Sequence, residues 1–162
     1  MRRNTSIFAK ALLFLLIFLA SLPLISCAKY KHIEPEAYNL TYAYTDENGE
    51  PLTDENNMLI SREINVANCS REELRLFHVL DYENSFGEIT SAKEAYEAAM
   101  TVFKETYRSD CDKTETPFNV FYNPTANAWL VFGTLDVNTV GGTAKIAFAS
   151  ETGEVLMLFH DK

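Results

Sequence analysis

The sequence predicts an α+β fold, in which an amphipathic helix packs on a four-stranded antiparallel meander and a hairpin with a short helix extends it at the N-terminal side. Two observations predict this fold. Apolar residues recur at spacings of three and four from Ala92 to Tyr107, as one face of a helix requires. Four short apolar runs separated by turn residues follow between residues 118 and 159. A sheet with one apolar face needs a cover, and this helix can supply it.

Two capping patterns locate the predicted helix starts. The hydroxyl of Ser91 can accept a hydrogen bond from the amide three residues on, while Glu94 can reach back. This predicts a long helix from Ser91 to about Tyr107. Ser70 and Glu73 have the same spacing, which predicts a short helix that ends near residue 80.

The strands are predicted from runs of β-branched and aromatic residues between Gly, Pro and Asn turns. Those of the meander are 118–122, 128–135, 143–149 and 155–159. Upstream, apolar residues alternate from Tyr38 to Tyr44 and again from Met58 to Val66. This period of two predicts a hairpin with a long connecting loop.

The loop of this hairpin is acidic and rich in oxygen ligands, as a calcium site would be. Counted from Asp46, however, Pro51 stands where the EF-hand pattern needs glycine. We therefore predict a mobile, solvated turn, with no metal and no cofactor in the protein. Its carboxylates are candidate residues for binding a partner: Asp46, Glu47, Glu50, Asp54 and Glu55.

The first 26 residues have the pattern of an export signal. Arg2, Arg3 and Lys10 precede an apolar run over residues 11–22, which is too short to span a bilayer comfortably. The following Leu-Ile-Ser-Cys resembles the lipobox of bacterial lipoproteins, and this resemblance implies a lipid-modified Cys27 at the start of the mature chain. An ordinary secretory signal is the alternative.

A lipid on Cys27 would anchor the protein in the cell envelope. Ala28 and Lys29 follow the cysteine, and the absence of aspartate there favours the outer membrane, facing the periplasm, if the organism has two membranes. The predicted organisation is a signal over 1–26, a tether over 27–37, an extension with the hairpin and short helix over 38–86, and the helix with its sheet over 87–162.

The composition of the mature chain limits its partners. After removal of residues 1–26, 11 basic and 23 acidic residues remain, so the net charge is −12. Such a charge repels nucleic acid and is compatible with a basic protein partner. We expect a monomer or a weak dimer. Cys69 and Cys111 could form a disulfide in an oxidising compartment or remain free, and their spacing does not decide this.

Residues with catalytic potential are scattered along the chain. The histidines are His32, His78 and His160, and no nucleophile lies in a recognisable pattern with any of them. We therefore predict that the chain is not an enzyme. Trp129 is a further candidate partner-binding residue, because aromatic side chains often anchor interfaces, but a lone tryptophan in an apolar strand belongs to the core more often than to an interface.

The last 75 or so residues resemble the small bacterial immunity proteins with a nuclear transport factor 2 fold. The features that carry this resemblance occur in order, and they are Ser91-Ala92-Lys93-Glu94-Ala95, Pro117-Phe118, the run from Trp129 to Leu135, Gly141-Gly142, and the closing run from Glu151 to Leu156. Arg108 and Asp136 depart from the family pattern, where glycine and proline are usual. Residues 28–86 lie outside the resemblance.

The resemblance implies a non-enzymatic protein that binds and neutralises a protein toxin. An inhibitor held outside the cytoplasm can meet only toxins that act there, so we predict a target toxin that attacks the cell envelope. PepSY-like domains, which also pair a helix with a short meander, are the alternative. They would make the chain a periplasmic binding or protease-inhibitor lipoprotein.

Overall fold

The computed structural model describes residues 29–34, 38–78, 80, 82–107, 111–136 and 138–160, with the side chains of residues 111 and 112 left out. The signal and Cys27 lie outside the described residues. The strands are β1 (Tyr30–His32), β2 (Asn39–Ala43), β3 (Ser61–Asn65), β4 (Phe118–Asn123), β5 (Ala128–Phe132), β6 (Ala144–Ala149) and β7 (Val155–His160). The helices are α1 (Arg71–Arg75), α2 (Ala92–Tyr107) and α3 (Cys111–Thr114).

The main sheet has five strands in the order β1-β4-β5-β6-β7. Strands β4 to β7 pair antiparallel with their neighbours in sequence, whereas β1 pairs parallel with β4, Tyr30 opposite Phe118. The α+β class is confirmed. The prediction of four strands was wrong by one, because β1 arises from residues that we assigned to a tether. Three residues are too few to show an alternating pattern.

Helix α2 covers one face of this sheet. Its cap is as predicted at Ser91, whose hydroxyl accepts from the backbone N–H of Glu94, while the Glu94 carboxylate accepts from Thr90. Its buried residues pack with one layer of strand side chains, among them Phe118, Trp129 and Phe148. Among the described residues, no helix is both long and apolar enough to cross a bilayer.

The opposite face of the sheet is also apolar, which the sequence analysis did not predict. Every residue of β5 and β6 is buried. The second layer of side chains includes Phe121, Leu130 and Phe132. It packs against Leu40 and Ile64 of the hairpin and against the residues that follow strand β3, as far as Phe77. The N-terminal extension therefore completes the core of the sheet.

A buried asparagine joins the extension to the sheet. Asn123, at the end of β4, has no exposed surface. Its side-chain N–H groups donate to the carbonyls of Val66 and Cys69 at 2.9 and 3.0 Å, and its carbonyl accepts from the Ala126 amide at 2.9 Å. Because each of these backbone groups is buried near the sheet, the side chain of Asn123 fixes where the hairpin ends.

Helix α1 begins with the predicted capping box, in which Ser70 and Glu73 each accept from the other's backbone N–H. It ends at Arg75, earlier than predicted. Cys69 is a free, buried thiol, so the disulfide that we left open is not formed in the structure. Cys69 packs in the core layer on the extension's side of the sheet, and the side chain of Cys111 lies outside the described residues.

The far end of the sheet contains two buried ionisable side chains, Glu115 and Lys145, beside the exposed His160. Glu115 accepts from the Ala144 amide at 2.7 Å, and its other oxygen lies 3.2 Å from Nε2 of His160. Lys145 is 5% exposed, and its Nζ lies 5.9 and 5.4 Å from the ring centroids of Phe132 and Phe159. Burial lowers the pKa of Lys145 from 10.5 to about 8, while the charge of Glu115 acts in the opposite direction.

Gly153, in the turn between β6 and β7, is required by its backbone and by its neighbours. Its φ is +66°, and a Cβ there would lie 2.8 Å from the Phe86 nitrogen and closer still to the Gly87 carbonyl. We expect Gly153→Ala to lower the free energy of unfolding by about 2 to 6 kcal/mol, because left-handed backbone and overpacking each cost about 1 to 3 kcal/mol. Urea denaturation measures the change.

The control is Gly49→Ala, since Gly49 has a φ of +83° with nothing within 4 Å of an added Cβ. That variant should lose only the backbone contribution, about 1 kcal/mol. Equal losses in the two variants would mean that the contact with residues 86 and 87 contributes nothing.

Lys145 should make stability depend on alkaline pH. Its folded pKa of about 8 lies below 10.5, so between these values the unfolded chain binds more protons, and the free energy of unfolding contributed by this group rises with pH. Lys145→Met removes this rise. We expect the wild type to gain about 1 to 2 kcal/mol over the variant from pH 7.5 to 10, after allowance for solvent screening.

The measurement is urea denaturation of both proteins across this pH range. Lys104→Met, which removes an exposed cation on α2, is the matched control and should run parallel to the wild type. If the free energies of unfolding of the wild type and Lys145→Met differed by the same amount at all pH values, the result would contradict the lowered pKa of Lys145.

Candidate functional site

An ordered arm extends from the β2–β3 hairpin over residues 44–60. Three backbone hydrogen bonds close a ring at its base: Leu52 donates to Tyr44 at 2.8 Å, Ile60 to Leu52 at 2.9 Å, and Tyr44 to Ile60 at 3.0 Å. The segment that we predicted to be a mobile, solvated turn is exposed, as predicted, but has a regular hydrogen-bonded structure. The ring holds the backbones of these three residues side by side.

The arm is built from a tandem repeat of eight residues. Residues 45–52 read TDENGEPL and residues 53–60 read TDENNMLI. The fifth residue of each copy has a left-handed backbone, with φ of +83° at Gly49 and +59° at Asn57. These are residue types that tolerate this conformation. The two copies therefore fold as two equivalent turns.

The aspartate of each copy shapes its turn. Oδ1 of Asp46 accepts from the amides of Asn48 and Glu50 at 2.8 and 2.9 Å. In the second copy, Oδ1 of Asp54 accepts from the amides of Asn56 and Met58 at the same two distances. These backbone N–H groups favour the charged form, which lowers the pKa of Asp46 and of Asp54. Both carboxylates are therefore used to fold the arm.

The remaining surface of the arm is apolar and acidic. Tyr44, Leu52 and Ile60 each stay 38 to 41% exposed, and Met58 and Leu59 are 67 and 59% exposed. The five predicted partner-binding carboxylates all lie on this arm, and all are exposed: Asp46, Glu47, Glu50, Asp54 and Glu55. No basic residue occurs between residues 44 and 60. Such a surface suits contact with a protein that offers an apolar pocket and positive charge.

A groove of about 590 Å³ is the second candidate site. It lies where the end of β1 meets β4, β5 and the segment before α2, and its walls are His32, Ile33, Glu34, Thr90, Tyr122, Pro124, Trp129 and Ser150. Several of its polar groups are already bound within the protein. Ser150 Oγ donates to the Ile89 carbonyl at 2.8 Å, and the Tyr122 hydroxyl pairs with Asn127.

Trp129 is placed in the core with one edge toward this groove. It is 8% exposed, and its indole N–H donates to the Ile89 carbonyl at 3.0 Å. Its ring packs against His32 and Tyr122, with centroids 5.8 and 5.2 Å away. Any contact of Trp129 with a partner stays a prediction and would involve only this edge.

The structure does not bring the predicted site residues together. Trp129 packs in the layer beneath α2, whereas the hairpin that carries the acidic arm covers the other face of the sheet. Among the residues that the structure describes, no group of three or more His, Cys, Asp and Glu side chains could hold a metal ion.

Sequence reasoning missed the repeat, and with it the apolar residues of the arm. A comparison of the sequence with itself at a spacing of eight would have found the two TDEN segments. We instead tested the segment against a calcium-loop pattern, which uses the same residue types at a different spacing.

Comparison with known families identifies the C-terminal part of the chain. Residues 94–162, from α2 to the end, match the family model described as NTF2 fold immunity protein, which confirms the resemblance inferred from the sequence. No curated protein and no solved structure matches the chain. The matched family is a non-catalytic, toxin-neutralising one, which agrees with the prediction that the chain is not an enzyme. The match supports a toxin-immunity role for a chain whose arm lies outside the matched residues.

Proposed function

We propose that this chain is a lipid-anchored immunity protein that binds and neutralises a protein toxin acting in the cell envelope. The match of residues 94–162 to NTF2 fold immunity proteins carries the proposal. An inhibitor of this kind needs a binding surface but no reacting groups. The described surface agrees with that requirement, because five of its seven exposed large apolar side chains lie on the arm over residues 44–60, beside five exposed carboxylates.

The envelope location is proposed from the N-terminal sequence. A charged start, an apolar run and Leu-Ile-Ser-Cys precede a long mature chain. Lipid on Cys27 would hold the folded domain at a membrane surface, since burial of acyl chains contributes about 0.8 kcal/mol per methylene group. A protein held there can reach only toxins that act on peptidoglycan, lipid or the membrane.

The toxin is proposed to be basic at its contact surface. The mature chain has a net charge of −12, which attracts a basic protein and speeds its association at low salt. The same charge disfavours nucleic acid as a partner.

The proposal predicts protection in the envelope. Susceptible cells should survive an exported toxic protein encoded beside this chain when they also make the full-length chain. They should die when the chain lacks residues 1–26, because the inhibitor then stays in the cytoplasm. Survival counts measure both. Equal killing with and without the full-length chain would refute immunity, and protection by the truncated chain would refute the envelope location.

Cys27 is predicted to carry the lipid. Cells grown with a palmitate analogue should label the wild-type chain, and Cys27→Ser should abolish the label and release the protein from the membrane fraction. Cys69→Ser is the matched control, since this thiol is buried in the domain, and it should keep the label. An unlabelled wild-type chain would contradict lipid attachment.

A further inference from the structure

We propose that the arm formed by residues 44–60 is the docking element for the toxin, with Tyr44, Leu52 and Ile60 as its apolar anchor. This inference rests on the proposed function and names the part of the surface that performs it. The occupant is a protein surface that combines an apolar pocket with surrounding positive charge.

The first reason is the exposure of the anchor. Tyr44, Leu52 and Ile60 are 38, 39 and 41% exposed. Exposure of large apolar side chains to water is unfavourable, because their burial would stabilise the fold. No residue of the arm belongs to either core cluster. Tyr44 contacts Tyr42 at the base of the hairpin, with ring centroids 5.3 Å apart, but the exposed part of all three side chains is available to a partner.

The second reason is that the anchor is held in place before binding. The ring of hydrogen bonds at 2.8, 2.9 and 3.0 Å fixes the three backbones relative to one another, and the two aspartates fix the turns between them. Binding then costs little backbone entropy, which is the usual limit on recognition by a loop. The repeat gives this rigidity by using the same turn twice.

The third reason is charge, which selects among the occupants. Residues 44–60 contain five carboxylates and no basic side chain, a net charge of −5. Two arms would repel each other, so a second copy of this chain does not fit. An anionic lipid surface is excluded by the same repulsion. A basic protein surface is attracted, and its apolar pocket would cover the anchor.

The equivalent glutamates, Glu47 and Glu55, are the third residues of the two repeats. Both are exposed, so their replacement by glutamine should leave the ring intact. They allow the contribution of charge to be measured separately from that of the anchor.

The test measures binding of the full mature chain to the exported toxic protein encoded beside it. Leu52→Ala with Ile60→Ala should raise Kd at least 20-fold, as expected for two central apolar contacts. Leu52→Met with Ile60→Met keeps the apolar surface and should bind within threefold of wild type. Leu76→Ala removes a side chain of matched exposure, 42%, outside the arm, and should leave Kd unchanged.

Glu47→Gln with Glu55→Gln should lower the association rate constant severalfold and weaken its dependence on salt. The control is Glu83→Gln with Glu88→Gln, which removes two exposed carboxylates elsewhere and should slow association less. Hydrogen exchange at the amides of residues 44, 52 and 60 shows whether the ring persists in each variant.

Wild-type binding together with normal binding by both arm variants would overturn the docking site and leave the proposed immunity function standing. A wild-type chain that neither binds nor protects would overturn the proposed function, and the docking site with it. If Leu52→Ala with Ile60→Ala loses the ring, the variant Glu47→Gln with Glu55→Gln provides the test. An unchanged association rate constant in that variant would refute the proposal that the arm contacts the toxin.

Discussion

Burial of both faces of the central sheet is the constraint on which the rest of the structure depends. Strands β5 and β6 have no exposed residue, so helix α2 can cover only half of their side chains. Leaving Phe121, Leu130 or Phe132 in water would cost roughly 1.5 to 3 kcal/mol each. The hairpin removes this cost by packing on the second face. The N-terminal extension is consequently part of the same cooperative core as the region that matches immunity proteins.

Buried polar side chains make this arrangement specific, because apolar layers alone would tolerate sliding. Asn123 is fully buried and binds the backbone on both sides of the junction between extension and sheet. At the opposite end, the buried Glu115 accepts from the Ala144 amide and approaches His160, which joins the segment before β4 to strands β6 and β7. Each would leave a buried backbone group unsatisfied if the layers shifted by one residue.

Local patterns predicted the elements that local physics determines. The cap at Ser91, the apolar stripe to Tyr107 and the capping box at Ser70 are all present. The sequence did not predict β1, because three residues that pair in parallel with a distant strand depend on tertiary contact. It did not predict the second buried face either, since a strand buried on both sides loses the alternation that distinguishes inside from outside. The acidic residues of the candidate site were predicted, but the frame that holds them and the apolar anchor depend on hydrogen bonds that join residues eight and sixteen apart.

The residues that build the core and the residues proposed to bind the toxin are separate in this chain. Side chains of the core clusters come from the sheet, from the helices α1 and α2 with their connecting segments, and from the base of the hairpin, while residues 44–60 contribute none. Substitutions on the arm should therefore change what it contacts with little effect on the core, provided that Asp46, Asp54 and the left-handed residues keep the turns. A fold with this property can retain its scaffold while the surface of the arm changes, since function generally lies in sites attached to a fold. The family match, which covers strands β4 to β7 and helix α2 from Glu94 but not the arm, has the distribution that such a separation would produce.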